Sequence, residues 1–279
     1  MRIFSFFATA LLFILPLKSG SNQVDGYSNI AISTCSGDNV TFRDSEELTY
    51  KIYYNWGLVW LSAGEATFRV QEQKNGYLIS AVGKTYPAYE WLYSVNDRYE
   101  VFVDKSTLLP IWSVRDIREN NYTQYERMDF NQSTGKVTSR RGKNKSETTT
   151  AVISVNDCTH DILSILYFVR NYPFNTFRNG QVFPVNVFLD RENNNLTAKY
   201  KGIVKKHNVR GLGNFNSFVI TPATIEGKVF EKGNTMKMYI SEDENQIPLM
   251  VETSLKVGNV KVILKSYKNL RYSLKSKVN

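Results

Sequence analysis

The sequence has 279 residues, of which 42% are hydrophobic, and its formal net charge is +9. A chain of this length can bury a sizeable core in one large domain or two smaller ones. Its basic residues are spread along the chain without an arm or a repeated motif, which argues against a nucleic-acid partner. The positive charge favours contact with an anionic envelope surface, although it also serves simple solubility.

Residues 1–21 have the layout of a secretory signal peptide. Arg2 supplies a positive start, an apolar run covers 3–17, and small residues follow at 19–21. The run is short for a membrane span, which needs about 20 apolar residues, and no later run is longer. The sequence therefore predicts a periplasmic protein with no membrane span in the mature chain.

Two further regions follow the predicted signal peptide. Residues 22–44 are polar and irregular, and we expect an N-terminal arm there. Residues 45–279 carry a repeating β pattern, which predicts a single β-rich domain.

Alternation of apolar and polar residues dominates this domain. It is clear in residues 48–56, 66–70, 99–103, 111–117, 122–130, 182–189, 196–204, 215–221, 236–240, 249–257 and 260–272. Asn75-Gly76 and Gly258-Asn259 are typical of tight hairpin turns, and residues 193–195 predict a loop. Short strands joined by tight turns predict a mainly β fold, a strongly curved antiparallel sheet or open β-barrel.

Residues 159–172 break the alternation. The apolar side chains of Ile162, Ile165, Leu166 and Val169 have helical spacing, and Pro173 ends the segment. We expect one substantial helix here, packed against the sheet either as a lid over its concave side or as a plain core helix.

The chain has two cysteines, Cys35 and Cys158. In an oxidising compartment an isolated pair favours a disulfide, although two free thiols are also compatible with the sequence. A closed loop of this length contributes roughly 4–5 kcal/mol in the chain-entropy model.

Few residues suit catalysis. Asp157, His160 and Asp161 cluster near Cys158, a combination that a hydrolase or a metal site could use. Helix capping by the two aspartates explains the cluster more simply, and no second Cys/His group completes a metal site. We predict no catalytic residues, no metal and no cofactor.

Aromatic residues are the better functional signal. Two aromatic clusters, at residues 56–61 and 86–93, suit lipid tails or the faces of sugars, although a packed β core also uses aromatics. The candidate ligand contacts are Tyr54, Trp56, Trp60, Trp91, Ile165 and Val169.

Several short motifs recur in a fixed order along the chain. They lie at residues 46–50, 63–66, 93–100, 103–110, 161–170 and 239–248. Over residues 46–274 their order and spacing resemble the exported bacterial proteins grouped as domain of unknown function 3108. This resemblance implies a periplasmic, mostly β protein without an established activity, and it supplies no catalytic residues. At fold level it is similar to the half-barrel of periplasmic lipoprotein carriers.

Three functions follow from these features. The first is a non-enzymatic envelope protein that holds an apolar or amphipathic, lipid-like ligand in the concave face of the sheet. The second is an envelope interaction or scaffold module without a ligand, and the third is a hydrolase using Asp157, His160 and Asp161.

Overall fold

The structure, a computed structural model, describes residues 35, 37–56, 59–223, 236–255 and 258–279, with only the backbone of Trp56. The predicted signal peptide and most of the predicted arm lie outside the described residues.

The described part of the chain contains one α-helix and fifteen β-strands. The helix is α1 (Ile162–Val169). The strands are β1 (Glu47–Trp56), β2 (Val59–Gln73), β3 (Gly76–Thr85), β4 (Asn96–Asp104), β5 (Pro110–Glu119), β6 (Tyr122–Asn131), β7 (Lys136–Gly142), β8 (Thr148–Ser154), β9 (Val182–Leu189), β10 (Glu192–Val209), β11 (Gly213–Pro222), β12 (Met236–Ser241), β13 (Pro248–Ser254), β14 (Asn259–Lys268) and β15 (Lys277–Val278).

The strands form one antiparallel sheet that is not closed into a barrel. Its order is β8-β7-β6-β5-β4-β3-β2-β1-β14-β13-β12-β11-β10-β9, with β15 paired to β11. Two meanders, β1–β8 and β9–β14, therefore meet at a single pair of strands, β1 and β14. The predicted mainly β, antiparallel architecture with one helix is confirmed.

Period-two alternation explains which strand face is buried. In β1, Leu48, Tyr50 and Ile52 are buried, while the intervening side chains are partly exposed. The buried face joins one large apolar core, which also includes Phe42 from the segment before β1. Phe42 packs edge-on against Tyr77 and Tyr167, so residues of the predicted arm contribute to the core.

Helix α1 is shorter than the predicted 159–172. Asp161 is its N-cap, because its side chain accepts a hydrogen bond from the Ser164 backbone N–H at 2.8 Å, and Cys158 upstream has a left-handed φ of 59°. These conformations exclude an earlier helical turn. The helix ends at Arg170, before Pro173.

The loop predicted at residues 193–195 is wrong. These asparagines lie in β10, and the turn is formed instead by Asp190 and Arg191, with φ of 51° and 66°. Side-chain hydrogen bonds account for the difference, because Asn193 donates to the Ser154 carbonyl and Asn195 accepts from Asn156.

Candidate functional site

Helix α1 is anchored at its start to the sheet. The backbone N–H of His160 donates to the Asn186 carbonyl, and the His160 carbonyl accepts from the Phe188 N–H at 2.7 Å. The Asp161 cap then directs the next residues across the sheet. Burial raises the pKa of the Asp161 carboxyl, and the hydrogen bonds from Ser164 partly offset that rise.

An apolar cavity of about 50 Å³ lies between α1 and the second meander. The helix contributes Ile162, Ile165, Leu166 and Val169. Strands β9 to β13 contribute mainly Phe183, Val185, Val187, Leu196, Ala198, Ile220, Met238, Ile240 and Pro248. The lining is almost wholly apolar, so the cavity suits hydrocarbon better than a polar substrate.

A second cavity of about 30 Å³ lies towards β1 and β2 and is lined by Leu48, Tyr50 and Phe68. Leu166 and Met238 line both cavities. We call the two cavities together the α1 groove. The groove is interrupted by these side chains, and Leu166 is itself only partly buried.

Arg170 borders the α1 groove but does not make it polar. Its guanidinium forms a bidentate, fully buried ion pair with Glu46 at 2.6 and 2.9 Å. It also donates to the Asn245 carbonyl at 3.1 Å and lies over the Tyr167 ring. Burial opposes the charge, but the Glu46 carboxylate raises the pKa of Arg170 overall. The positive charge of Arg170 is therefore neutralised by Glu46 and is not presented to the cavity.

The carboxyl end of α1 is closed by Gln246. Its side-chain amide donates to the carbonyls of Arg170 and Tyr172, at 2.6 and 3.0 Å. Arg170 is the C-cap of α1, where a carbonyl has no intrahelical partner, and Tyr172 follows in the chain just after it. The turn between β12 and β13 therefore holds the helix in place.

On its core face the first meander carries four buried polar residues, Asp97, Arg115, Glu119 and Glu126. Asp190, from the turn between β9 and β10, joins them, and we call the five residues the polar block. Arg115 pairs with Glu126 and, at 2.8 Å, with Asp190. Burial, with the neighbouring Glu119 carboxyl, raises the pKa of Asp97 to about 8. Because this pKa lies above 7, the Asp97 carboxyl holds its proton at neutral pH. The polar block lines neither cavity of the α1 groove.

The three residues of the hydrolase hypothesis do not converge on a cleft. Asp157 is exposed, whereas His160 is fully buried and packs on the Phe168 ring with centroids 4.5 Å apart. Asp161 is committed to capping α1. The other histidine, His207, stacks on Tyr239.

The six predicted ligand contacts are dispersed. Ile165 and Val169 line the α1 groove, and Tyr54 is buried in the core. Trp60 lies beside Lys261 on the opposite face of the sheet, and Trp91 is 81% exposed on the loop after β3. The side chain of Trp56 lies outside the described residues.

Sequence reasoning missed the sheet side of the α1 groove. Val185, Leu196 and Met238 occupy apolar positions of predicted strands, so their alternation could have nominated them. The Glu46–Arg170 ion pair could not be predicted from sequence pattern, because 124 positions separate the two partners.

Cys35 and Cys158 form the predicted disulfide, with their Cα atoms 4.6 Å apart. The bond joins the segment before β1 to the chain three residues ahead of the Asp161 cap. It therefore fixes the approach to α1 from one side, while Glu46 holds Arg170 at the other end.

Within the described residues, no helix has the length and apolar character needed to cross a membrane. No curated protein sequence matches this chain. A family model described as "Protein of unknown function (DUF3108)" matches residues 49–265.

Solved structures that are similar to this chain include the following three. A beta-barrel-like protein of the domain of unknown function DUF1849 from Brucella abortus is similar over 83% of this chain and 100% of its own, with a TM-score of 0.56 and 10% identity. A candidate lipoprotein from Parabacteroides distasonis covers 84% and 99%, with a TM-score of 0.31 and 13% identity. A candidate exported protein with a YmcC-like fold from Bacteroides fragilis covers 83% and 99%, with a TM-score of 0.30 and 14% identity.

Proposed function

We propose that this chain, which belongs to the DUF3108 family of proteins of unknown function, is a non-enzymatic envelope protein that binds the apolar part of a lipid-like ligand in the α1 groove. The observation that carries the proposal is the aliphatic lining of the main cavity, which the helix and five strands share. Hydrocarbon is the ligand chemistry that such a lining favours.

The size of the cavity defines what binding requires. Ligand pockets usually measure about 300–1,000 Å³, and the main cavity measures about 50 Å³. We propose that Leu166 and Val169, which are both only partly buried, move to merge the two cavities when a chain enters. In this proposal α1 acts as a lid whose two ends stay anchored.

We propose that the sheet curves around α1, as the sequence predicts. Contacts between its two distant edges support this shape. Arg191, in the turn between β9 and β10, donates to the Thr149 carbonyl of β8 at 2.7 Å, and Asn193 donates to the Ser154 carbonyl at 2.9 Å. The likeness to the beta-barrel-like protein from Brucella abortus is in keeping with this arrangement.

We further propose that the protein works in the periplasm, delivered by the signal peptide predicted at residues 1–21. The Cys35–Cys158 disulfide supports an oxidising compartment. Without residues 1–21 the chain has 33 basic and 26 acidic residues, a net charge of +7, which suits an anionic envelope surface as a partner.

The proposal is tested by titrating the purified, delipidated protein with cis-parinaric acid, a fluorescent fatty acid. We expect saturable binding by the wild type. Ala198→Phe places a ring in the cavity, so binding should weaken at least about tenfold, a loss of about 1.4 kcal/mol. Ile165→Ala enlarges the cavity and should not weaken binding. This second variant keeps the proposal testable if Ala198→Phe does not fold.

Val152→Phe is the matched control, because Val152 lies exposed on β8 and lines neither cavity. Its affinity should equal that of the wild type. If the wild type binds no probe and native mass spectrometry detects no co-purified lipid, the ligand-binding function is wrong. The scaffold alternative, a module that docks through exposed side chains such as Trp91, would then take its place.

A further inference from the structure

A pocket of about 200 Å³, separate from the α1 groove, lies at the end of the sheet where β2, β13 and β14 meet. We call it the Trp60 pocket. Its lining includes Trp60, Lys237, Glu252, Ser254, Asn259 and Lys261. No residue is shared with either cavity of the α1 groove.

Strand register places these side chains on one face. One row across the sheet pairs Trp60 with Asn55, Asn55 with Asn259, and Asn259 with Ser254. Two residues along, a parallel row pairs Lys261 with Glu252, and Glu252 with Lys237. Side chains two residues apart on a strand share a face.

The opposite face of the same strands is the apolar core. Val251 and Val262 point there, and Met238, paired with Val251, lines the α1 groove. The Trp60 pocket therefore opens on the other side of the sheet from the lipid-like site.

The charged groups of the Trp60 pocket are only loosely paired. The Lys261 Nζ lies 3.8 Å from the Glu252 carboxylate and 5.1 Å from the centre of the Trp60 ring. A charge-assisted hydrogen bond would measure about 2.7–2.9 Å. The ammonium can therefore accept a further anionic or hydroxyl partner without giving up a short bond to Glu252.

The remaining groups are suited to hydroxyl recognition. Asn259 uses its Oδ1 to accept from the Ser254 hydroxyl at 2.9 Å, which leaves its amide N–H groups to donate elsewhere. Trp60 is 39% exposed and offers an aromatic surface beside these donors. An aromatic face flanked by amide, carboxylate and ammonium groups matches a sugar ring, which has an apolar C–H face and a polar rim.

We propose that the Trp60 pocket is a saccharide subsite that prefers an acidic sugar. Lys237 and Lys261 outnumber Glu252, so a sugar carboxylate is favoured over a neutral sugar. The volume suits a group of the size of one sugar ring rather than a long chain. The inference is independent of the lipid-like ligand, because the two sites lie on opposite faces.

The test is a calorimetric titration of the full chain with trigalacturonic acid, with maltotriose as the neutral counterpart and sodium acetate as the charge-only counterpart. We expect saturable binding of trigalacturonic acid, at least about tenfold tighter than that of either counterpart. Trp60→Ala should weaken it at least about tenfold. Lys237→Gln should reduce the preference over maltotriose.

Trp91→Ala is the matched control, since Trp91 is also an exposed tryptophan but lies on the loop after β3. It should bind as the wild type does, and circular dichroism should show all variants folded. An absence of saturable binding, or equal losses in Trp60→Ala and Trp91→Ala, overturns the subsite. Binding of maltotriose as tight as that of trigalacturonic acid overturns the acidic preference. Ala198→Phe should leave all these titrations unchanged, which separates this outcome from failure of the proposed function.

Discussion

The two meanders of the sheet share one apolar core but differ in what else they place on the α1 side. The first combines apolar side chains such as Ile79 with the polar block, in which Arg115 pairs with Glu126. The second contributes apolar side chains, such as Phe183 and Met238, and leaves a cavity beside α1. Directional, mutually dependent ion pairs hold their elements in one arrangement, whereas non-directional apolar contacts tolerate rearrangement. The difference suggests a rigid half and an adaptable half within one sheet.

The largest expected effect comes from breaking the polar block. Glu126→Ala leaves the buried Arg115 guanidinium without its main partner, and unfolding free energy should fall by about 3–5 kcal/mol in urea denaturation. Glu100→Ala is the control, because its pair with Arg98 is exposed and should contribute about 0–1 kcal/mol. Equal losses in the two variants would show that the polar block is no more rigid than the surface.

A smaller effect is expected on the adaptable side. Leu166→Ala should cost about 2 kcal/mol, the lower end for a leucine, because Leu166 is partly buried and already borders both cavities. Phe168→Ala, two residues further along α1 and buried in the core, should cost about 3–5 kcal/mol. Urea denaturation distinguishes the two. A loss in Leu166→Ala as large as that in Phe168→Ala would contradict an adaptable groove.

A further prediction concerns pH. An unfolded aspartate titrates near 3.9, and burial raises the pKa of Asp97 to about 8. The folded protein binds the additional proton between these values, so the contribution of Asp97 to stability is fully present below the lower pKa and is lost as the pH rises through the upper one. The slope of unfolding free energy reaches at most about 1.4 kcal/mol per pH unit from this group.

Asp97→Asn should flatten that slope, because an asparagine side chain does not titrate. The variant keeps the local hydrogen bond, since the asparagine oxygen can accept from the Arg118 N–H as Asp97 does at 2.8 Å. Urea denaturation at a series of pH values between 5 and 8 measures the change. Asp116→Asn is the control, because Asp116 is partly exposed on the neighbouring strand β5, and this variant should keep the wild-type slope. A slope in Asp97→Asn equal to that of the wild type would exclude the raised pKa of Asp97.

Local features of the sequence predicted much of this architecture. Alternation in β1 and the Asn75-Gly76 turn depend on neighbouring residues, and the apolar spacing in α1 does too. Strands β7 and β8 were missed, because polar edge strands such as Thr148–Ser154 lack an apolar stripe.

The site was harder to predict than the fold. The α1 groove is assembled from one helix and strands of both meanders, and its Arg170–Glu46 anchor is a contact between distant parts of the chain. A side chain such as Trp60 carries the same sequence signal whether it faces the core or solvent, because a strand offers both faces to alternating residues.

The single junction between the meanders has a consequence for how the chain reaches this structure. Each meander pairs strands that are neighbours in sequence, so each can form through short loop closures. Strand β1 is synthesised early, but its partner β14 comes near the end of the chain. Until β14 arrives, β1 is an unpaired edge, open to pairing with other chains. The slowest step of folding is then the β1–β14 closure, and the nascent protein is most exposed to misassembly just before it.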